Sequence, residues 1–258
     1  LCLLSAILLG EMSRNVALAL AEEEALDETL EMEQKHLQTR ITSRTRGLQA
    51  STEVSRRIST ILDTRELTET VVQQIQQAFN YYHVQLYQFT PDKQYLILTA
   101  ATGTAGQELR RRKHRLATWR GLVGLAGGSG EPQLVDNVHN NPNWLPNELL
   151  TETVAELAVP ILSGSEIIGV LDIQHNTLGN LDEDSIYVMQ TIASQIAVAF
   201  QNALLYEQVE AQAQREELLE HISQRIRTAT STEEALKVAA IELTQALNLK
   251  RTEIKLGL

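Results

Sequence analysis

The first part of the chain has the hydrophobic spacing of a long amphipathic helix. Residues 11–62 contain no proline and a single glycine, Gly47. Apolar residues recur mostly three, four or seven positions apart, with charges of both signs between them. One helix cannot bury such a stripe against itself, so the pattern predicts a parallel dimeric coiled coil over 11–62, with a helical hairpin folded onto its own domain as the alternative. The stripe consists of Leu26, Leu30, Leu37, Ile41, Leu48, Val54, Ile58 and Leu62.

The middle of the chain changes to strand patterns. Asp63 and Thr64 give a helix start, and a core-facing helical stripe follows over 67–79. Runs rich in β-branched and aromatic residues then alternate with turn residues. A glycine-spaced segment at 121–130 predicts a short helix that ends at the glycine cluster. The predicted strands are 83–90, 95–102, 113–118, 132–138, 155–163 and 166–175.

The pattern returns to helix over 181–226, with Asp182 as its predicted N-terminal cap. The first half of this helix has a broad apolar face, as a core helix does. Its second half narrows to a thin apolar seam, which predicts a coiled-coil linker over 207–227. The seam residues are Leu204, Leu205, Val209, Leu218 and Leu219.

The end of the chain repeats an earlier segment. Residues 57–87 can be aligned with residues 225–256, so that Thr64 matches Thr232 and Asn80 matches Asn248. The succession of cap, helix, break and strand is the same in both. The repeat predicts a separate helix over 232–247 and a strand over 252–256. Residues 228–258 are then either the start of a second domain copy or a helix-strand remnant.

Residues 1–10 are apolar and uncharged, but a membrane span needs about 20 such residues. They are either the end of a transmembrane helix or the start of a soluble amphipathic helix. The net charge of −11 argues against a nucleic-acid partner, because phosphate binding needs a basic field. The single cysteine, Cys2, excludes an intramolecular disulfide and fits a reducing compartment.

The sequence does not match most known catalytic and binding motifs, because its residues do not have the spacing that those motifs require. The glycines at 121–130 precede no lysine-serine or lysine-threonine pair, so they do not form a phosphate-binding loop. The six histidines are not clustered with cysteine or carboxylate, which argues against a zinc site. The run "RRRKHR" (110–115) is the one basic cluster. It is either a solvated loop or a site for an anionic ligand or acidic partner.

The order of elements and the amino-acid sequences of four segments resemble a GAF domain of bacterial membrane-associated sensor proteins with a histidine-kinase-like architecture. The segments are "GLVGLAGGSGEPQLVDNVHNNPNWLPN" (121–147), "AELAVPI" (155–161), "IIGVLDIQH" (167–175) and "IASQIAVAFQNALLYEQ" (192–208). The resemblance implies an α+β fold over 63–206: a six-stranded antiparallel sheet flanked by helices, with long N- and C-terminal coiled-coil helices.

The resemblance also implies a ligand pocket on one face of the sheet, with an unknown small molecule as its occupant. Members that attach a bilin covalently use a cysteine in the domain, and residues 63–206 contain none. The asparagine-lysine signature of cyclic-nucleotide-binding members is also missing. By analogy, the pocket is lined from 119–123, 136–137, 144–149, 155–159 and 172–174. The candidate ligand-binding residues are Trp119, Leu122, Asp136, Asn137, Trp144, Leu149, Glu156 and Gln174.

The expected function is a non-catalytic sensory and dimerisation module of a signal transducer. It would act as a homodimer through the flanking helices, in the cytoplasm and tethered to the inner membrane, within a two-component system. One alternative is the regulatory part of a histidine kinase or cyclase whose catalytic domain lies outside the chain. Another is a scaffolding GAF domain without a ligand.

Overall fold

The sheet is built where the sequence predicts strands. The computed structural model describes residues 30, 32–35, 37–38, 41–42, 44–45, 47–229 and 231–246. Within them, six antiparallel strands follow the order β3-β2-β1-β6-β5-β4, which confirms the predicted α+β class. The strands are β1 (His83–Phe89), β2 (Tyr95–Ala101), β3 (Arg115–Ala117), β4 (Gln133–Val135), β5 (Ala155–Ser163) and β6 (Glu166–His175).

Helices lie on both faces of this sheet. Asp63 caps the helix after it by accepting a 2.7 Å hydrogen bond from Glu66 N, and Asp182 forms a capping box with Ser185. The first helix, α1, is continuous over 47–58. The others are α2 (Thr64–Phe79), α3 (Gly103–Arg111), α4 (Gly121–Ser129), α5 (Glu183–Arg227) and α6 (Thr232–Ala246), with a 3-10 turn at Val138–Asn140.

Helix α3 was not predicted from the sequence. Two of its nine residues are glycine, which disfavours a helix by about 1 kcal/mol each. Tertiary packing explains Gly106, because a Cβ there would lie 2.6 Å from the carbonyl carbon of Ala101. The glycine therefore allows α3 to approach the end of β2.

Alternation along the strands divides the core into two layers. In β5 and β6, Leu157 and Ile173 belong to the helix-face core, which packs against α1, α2 and α5. Ala158 and Val170 belong to the pocket-face core, which packs against α4 and the loop before β5. Polar residues that point to the same side of β5 and β6 as Ala158 and Val170 therefore lie beneath α4.

Helices α1 and α5 run in parallel on the helix face. Gly47 packs against Val188 near the start of α5, and the Thr64 hydroxyl donates to the Glu207 carboxylate 19 residues further along α5. Helix α5 has 45 residues, about 67 Å, and its second half extends past the sheet. Helix α6 packs against this extension, where Arg225 pairs with the buried Glu242.

The separate helix predicted over 232–247 is present as α6. The predicted strand 252–256 and segment 1–10 lie outside the described residues. Across the part of the chain that the structure describes, none of the helices combines the length and apolar character needed to cross a bilayer.

Candidate functional site

A cavity of about 270 Å³ lies on the pocket face of the sheet, and we call it the carboxyl pocket. Strands β1, β5 and β6 form its floor, while α4 and the loop 145–147 form its roof. Gly121 opens α4 with φ +72°, and a Cβ on it would lie 2.8 Å from Leu145 Cδ1. This glycine therefore shapes the roof. The lining residues are Gln85, Tyr87, His114, Arg115, Leu116, Ala117, Arg120, Gly121, Leu122, Val123, Leu145, Pro146, Asn147, Glu156, Asp172 and Gln174.

Two carboxyl groups lie at the floor of the carboxyl pocket. Ala158 of β5 pairs with Asp172 of β6, so Glu156 is the diagonal neighbour of Asp172 on the same face. Glu156 is 6% exposed and Asp172 is 1% exposed. The register of two strands therefore holds a buried acidic pair.

Burial keeps a proton on this pair near neutral pH. Burial, and then the charge of Asp172, raises the pKa of Glu156 well above its usual range, while the Trp144 hydrogen bond partly opposes this. Burial raises the pKa of Asp172 to about 7, against the lowering effect of hydrogen bonds from Gln174 and Glu156. The pair thus holds about one negative charge at most, and it can exchange a proton with a ligand.

A hydrogen-bond network fixes the geometry of the pair. Trp144 Nε1 donates to Glu156 Oε2 at 3.0 Å, and Gln174 Nε2 donates to Asp172 Oδ2 at 2.9 Å. Thr153 Oγ1 in turn donates to Gln174 Oε1 at 2.6 Å. Asp172 Oδ1 accepts no hydrogen bond from an amide, indole or hydroxyl donor of the described residues. It is free to accept one from Glu156 or from a ligand.

The lining of the carboxyl pocket carries charge of both signs. Arg115 and Arg120 are exposed at its edge, and Arg115 packs over the Tyr95 ring at 4.5 Å. His114 is half-buried, and burial lowers its pKa, so it favours the neutral form. Cations at the edge and carboxyls at the floor make the pocket suited to a molecule with a donor at one end and an acceptor or anion at the other.

Of the eight predicted ligand-binding residues, Leu122, Glu156 and Gln174 line the carboxyl pocket. Trp144 reaches it through its hydrogen bond to Glu156, and Leu149 packs against the pocket-face core without lining the cavity.

Three of the predicted residues lie away from the carboxyl pocket. Trp119 is 61% exposed, and its ring covers Gly128, where a Cβ would lie 2.5 Å from the indole. Asn137 Oδ1 accepts a hydrogen bond from His139 N and so caps the 3-10 turn. Asp136 is exposed at the end of β4. These positions have local structural roles or face solvent.

The sequence prediction did not single out Asp172, although the predicted lining segment 172–174 contains it. Its signal was a carboxylate inside the apolar run "IIGVLDIQ", where burial forces a partner or a raised pKa. Gln85 and Tyr87, where the Tyr87 hydroxyl donates to Gln85 Oε1, were also missed. Both belong to a strand that the sequence alone could not align with β6. No group of acidic, histidine or cysteine residues in the described parts of the chain could hold a metal ion.

Comparisons with known proteins place this geometry in a family. Residues 62–201 match the family model described as GAF domain. The chain is similar to the GAF domain of a phosphoenolpyruvate-protein phosphotransferase from Coxiella burnetii, with 20% identity over 64% of this chain and 98% of that one and a TM-score of 0.58. The equivalent domain from Acinetobacter gives 22% identity over 61% and 94%, with a TM-score of 0.53. The comparison with curated proteins finds no match.

An enzyme is also among the similar structures. Free methionine-R-sulfoxide reductase from Neisseria meningitidis, in complex with its substrate, is 19% identical over 62% of this chain and 91% of that one, with a TM-score of 0.55. The sequence led us to expect that this chain is not an enzyme. As a conclusion from its fold that expectation is wrong, because a protein with the same fold is an enzyme. At these identities the likeness shows the fold alone. Since the family model covers more than half of the 258 residues, the chain belongs to the GAF domain family.

Proposed function

We propose that this GAF domain is a sensor that binds a small polar molecule in the carboxyl pocket. The observation that carries the proposal is the buried Glu156–Asp172 pair, because two carboxyl groups are costly to bury without a use for them. Among the described residues, no N–H or alcohol donor reaches Asp172 Oδ1. Only the carboxyl group of Glu156 could donate to it. A ligand N–H, O–H or ammonium group would supply a donor.

The charges around the pocket favour a molecule of about amino-acid size. A volume of about 270 Å³ is at the small end of ligand cavities. An ammonium group would face Glu156 and Asp172, and a carboxylate would face Arg115 or Arg120. The substrate of one structural neighbour, free methionine-R-sulfoxide, is itself an amino acid derivative. We therefore choose free amino acids and L-methionine sulfoxide as probes.

The test is a thermal-shift screen of these probes at neutral pH. At about 100 times its Kd, a bound probe should raise Tm by about 5 °C or more. Asp172→Asn and Glu156→Gln keep the side-chain shape but remove the acid, and each should abolish the shift. Asp136→Asn, which removes an exposed carboxylate outside the pocket, should leave the shift intact.

Two results would contradict the proposal. One is that no probe raises Tm at millimolar concentration. The other is a shift that survives both carboxyl substitutions, which would move the binding site away from the pair.

The flanking helices would carry the signal. Because α1 and α5 are parallel and share the helix-face core, a ligand that moves β5 or β6 changes the surface on which both helices pack. We include in the proposal a homodimer formed through these helices, with the exposed apolar seam of α5 as the contact. Regulation of a histidine kinase or cyclase domain outside this chain is the alternative output. The membrane tether stays a prediction from the sequence.

Catalysis at the same pocket is a second candidate. A carboxyl pair that shares a proton can donate and accept protons, as paired acids in enzymes do. Residues 62–201 contain no cysteine, so such a reaction would use no thiol of the matched segment. If the pair removes a proton from a bound amino acid, deuterium from solvent should enter the probe, as seen by proton NMR. It should do so with the wild-type chain and not with Asp172→Asn.

A further inference from the structure

A second cavity lies on the opposite face of the sheet from the carboxyl pocket. It is a groove of about 730 Å³ between the first turn of α2, strand β2 and the segment that joins α3 to β3. Ile97 and Thr99 of β2 line it, and Leu98 between them also borders it although its side chain belongs to the pocket-face core. We call this cavity the basic groove.

The lining of the basic groove contains four cationic side chains and no carboxylate. They are Arg65, Arg110, Lys113 and Arg115. The whole chain has a net charge of −11, so this separation of charge is local and strong. A cavity lined in this way attracts anions.

The basic run 110–115 divides between the groove and the outer surface. Arg111 and Arg112 both pair with Glu108, at 2.6 and 2.7 Å, and Arg112 also pairs with Glu148. Arg110 and Lys113, in contrast, line the groove. The run therefore turns Arg110, Lys113 and Arg115 to the groove and pairs its other two arginines with surface carboxylates.

Two of the four groove cations are held by neighbouring side chains, and the other two are available to bind a ligand. Arg110 Nη1 is fixed by Glu69 Oε1 at 2.9 Å, and Arg115 packs over the Tyr95 ring. Within the described residues, neither Arg65 nor Lys113 has an ion pair. Lys113 is held in a left-handed conformation with φ 53° as the chain leaves α3.

The groove also has an apolar wall. Ile97 is 39% exposed there, and the positive end of the α2 dipole adds to the field of the cations. Several cations on one wall suit a compact group with more than one negative charge, and an apolar wall suits an organic body. The volume lies within the usual range for small-molecule sites.

We propose that the basic groove binds a small organic phosphate, with the phosphate groups at Arg65, Arg110 and Lys113 and the apolar part against Ile97. This site shares only Arg115 with the carboxyl pocket, and the residues assigned to the phosphate are not part of that pocket. It adjoins Thr64, whose hydroxyl bonds to Glu207 of α5, so an occupant lies beside the point where α5 leaves the sheet.

The test is calorimetric titration with ADP, without metal ions, at low salt. Arg65→Gln/Lys113→Gln removes two groove cations, and Arg111→Gln/Arg112→Gln removes two cations of the same run that lie outside the groove. Both variants have the same net charge. ADP should bind the wild type saturably, and its Kd should rise at least about tenfold in the groove variant, as the loss of one charge-assisted hydrogen bond would give. The control should stay within about twofold of wild type, since surface charges outside a site contribute little.

A second variant tests the apolar wall. Ile97→Asp places a carboxylate among the groove cations without removing any of them, and it should abolish ADP binding while the circular dichroism spectrum is unchanged. Arg115 borders both cavities and is kept in every variant.

Four outcomes would overturn the proposal. They are no saturable ADP binding at millimolar concentration, an equal loss in the two double variants, tighter binding of a polyglutamate peptide than of ADP, and binding to phosphatidylglycerol vesicles without binding to ADP. The last two would indicate an acidic protein or a membrane surface instead.

Discussion

The Trp144 indole donates a 3.0 Å hydrogen bond to Glu156 Oε2, and this bond ties the loop before β5 to the floor of the carboxyl pocket. The His139 ring packs edge-on against the same indole, with ring centroids 5.4 Å apart. The loop is therefore anchored by one polar and one aromatic contact. Because Glu156 Oε2 accepts from Trp144, its other oxygen is left for Asp172 or a ligand.

Trp144→Phe should loosen this anchor. Phenylalanine keeps most of the apolar contact but cannot donate to Glu156, so a buried acceptor loses its partner. We expect the free energy of unfolding to fall by about 1–3 kcal/mol, measured by chemical denaturation at pH 7. Trp119→Phe is the matched control: this ring is 61% exposed, and we expect a change within about 0.5 kcal/mol. Equal effects of the two substitutions would contradict the anchoring role.

The fold follows from local patterns for most of its elements. The hairpin of β5 and β6 was predicted because two apolar runs flank a glycine-serine turn, and α5 because Asp182 precedes a long helical stripe. Helix α3 was not predicted, because its two glycines have low helix propensity. Gly106 is needed there for close packing on Ala101. How closely α3 approaches the end of β2 depends on three-dimensional geometry, and helix propensity does not report it.

The stability of the domain should depend on pH through Asp172. Its pKa is raised by burial to about 7 in the folded state, against about 3.9 in an unfolded chain. Between these values the folded state holds the proton that the unfolded chain has released. The free energy of unfolding therefore loses this contribution as pH rises from about 4 to about 7. His83 acts in the opposite sense, because burial lowers its pKa to about 4.

Asp172→Asn tests this effect, because groups outside the Glu156–Asp172 pair cancel in the difference from wild type and burial alone still raises the pKa of Glu156 in the variant. The free energy of unfolding of the variant minus that of wild type should rise with pH between about 4 and 7, by at most about 1.4 kcal/mol per pH unit. Denaturation at several pH values measures it, with Asp136→Asn as the control for loss of one carboxylate. A flat difference for Asp172→Asn would show that the folded state does not hold this proton.

Only part of the site could be predicted from the sequence. Glu156 and Gln174 were predicted because they lie in segments whose sequences resemble GAF domains. The pairing of Ala158 with Asp172 brings Asp172 beside Glu156, and that register depends on sheet formation. Trp119 was also predicted to line the pocket, since an indole suits an apolar wall, but it does not line this cavity. Its backbone has φ 72°, and the ring packs on Gly128.

The close contact between α1 and α5 should tolerate only a small residue at position 47. A Cβ on Gly47 would lie 3.0 Å from Val188 Cγ2, so Gly47→Leu forces the helices apart. We expect overpacking to lower the free energy of unfolding by about 1–3 kcal/mol, measured by chemical denaturation. Gln49→Leu adds the same side chain at an exposed position of α1 and should have little effect. If Gly47→Leu were as stable as Gln49→Leu, the contact would not hold α1 in place.

The proposed homodimer should depend on one row of α5. Val198, Leu205, Leu219 and Ile226 are separated by multiples of seven residues and are 36–60% exposed. Such a row faces a partner helix in a coiled coil. Leu205→Glu/Leu219→Glu places like charges at the contact and should convert a dimer to a monomer in sedimentation velocity, at concentrations where wild type is dimeric. Ala211→Glu/Gln214→Glu adds the same charges on other faces of α5 and should remain dimeric. A dimer that persists in the leucine variant would place the contact elsewhere, and a monomeric wild type would remove the dimer from the proposed function.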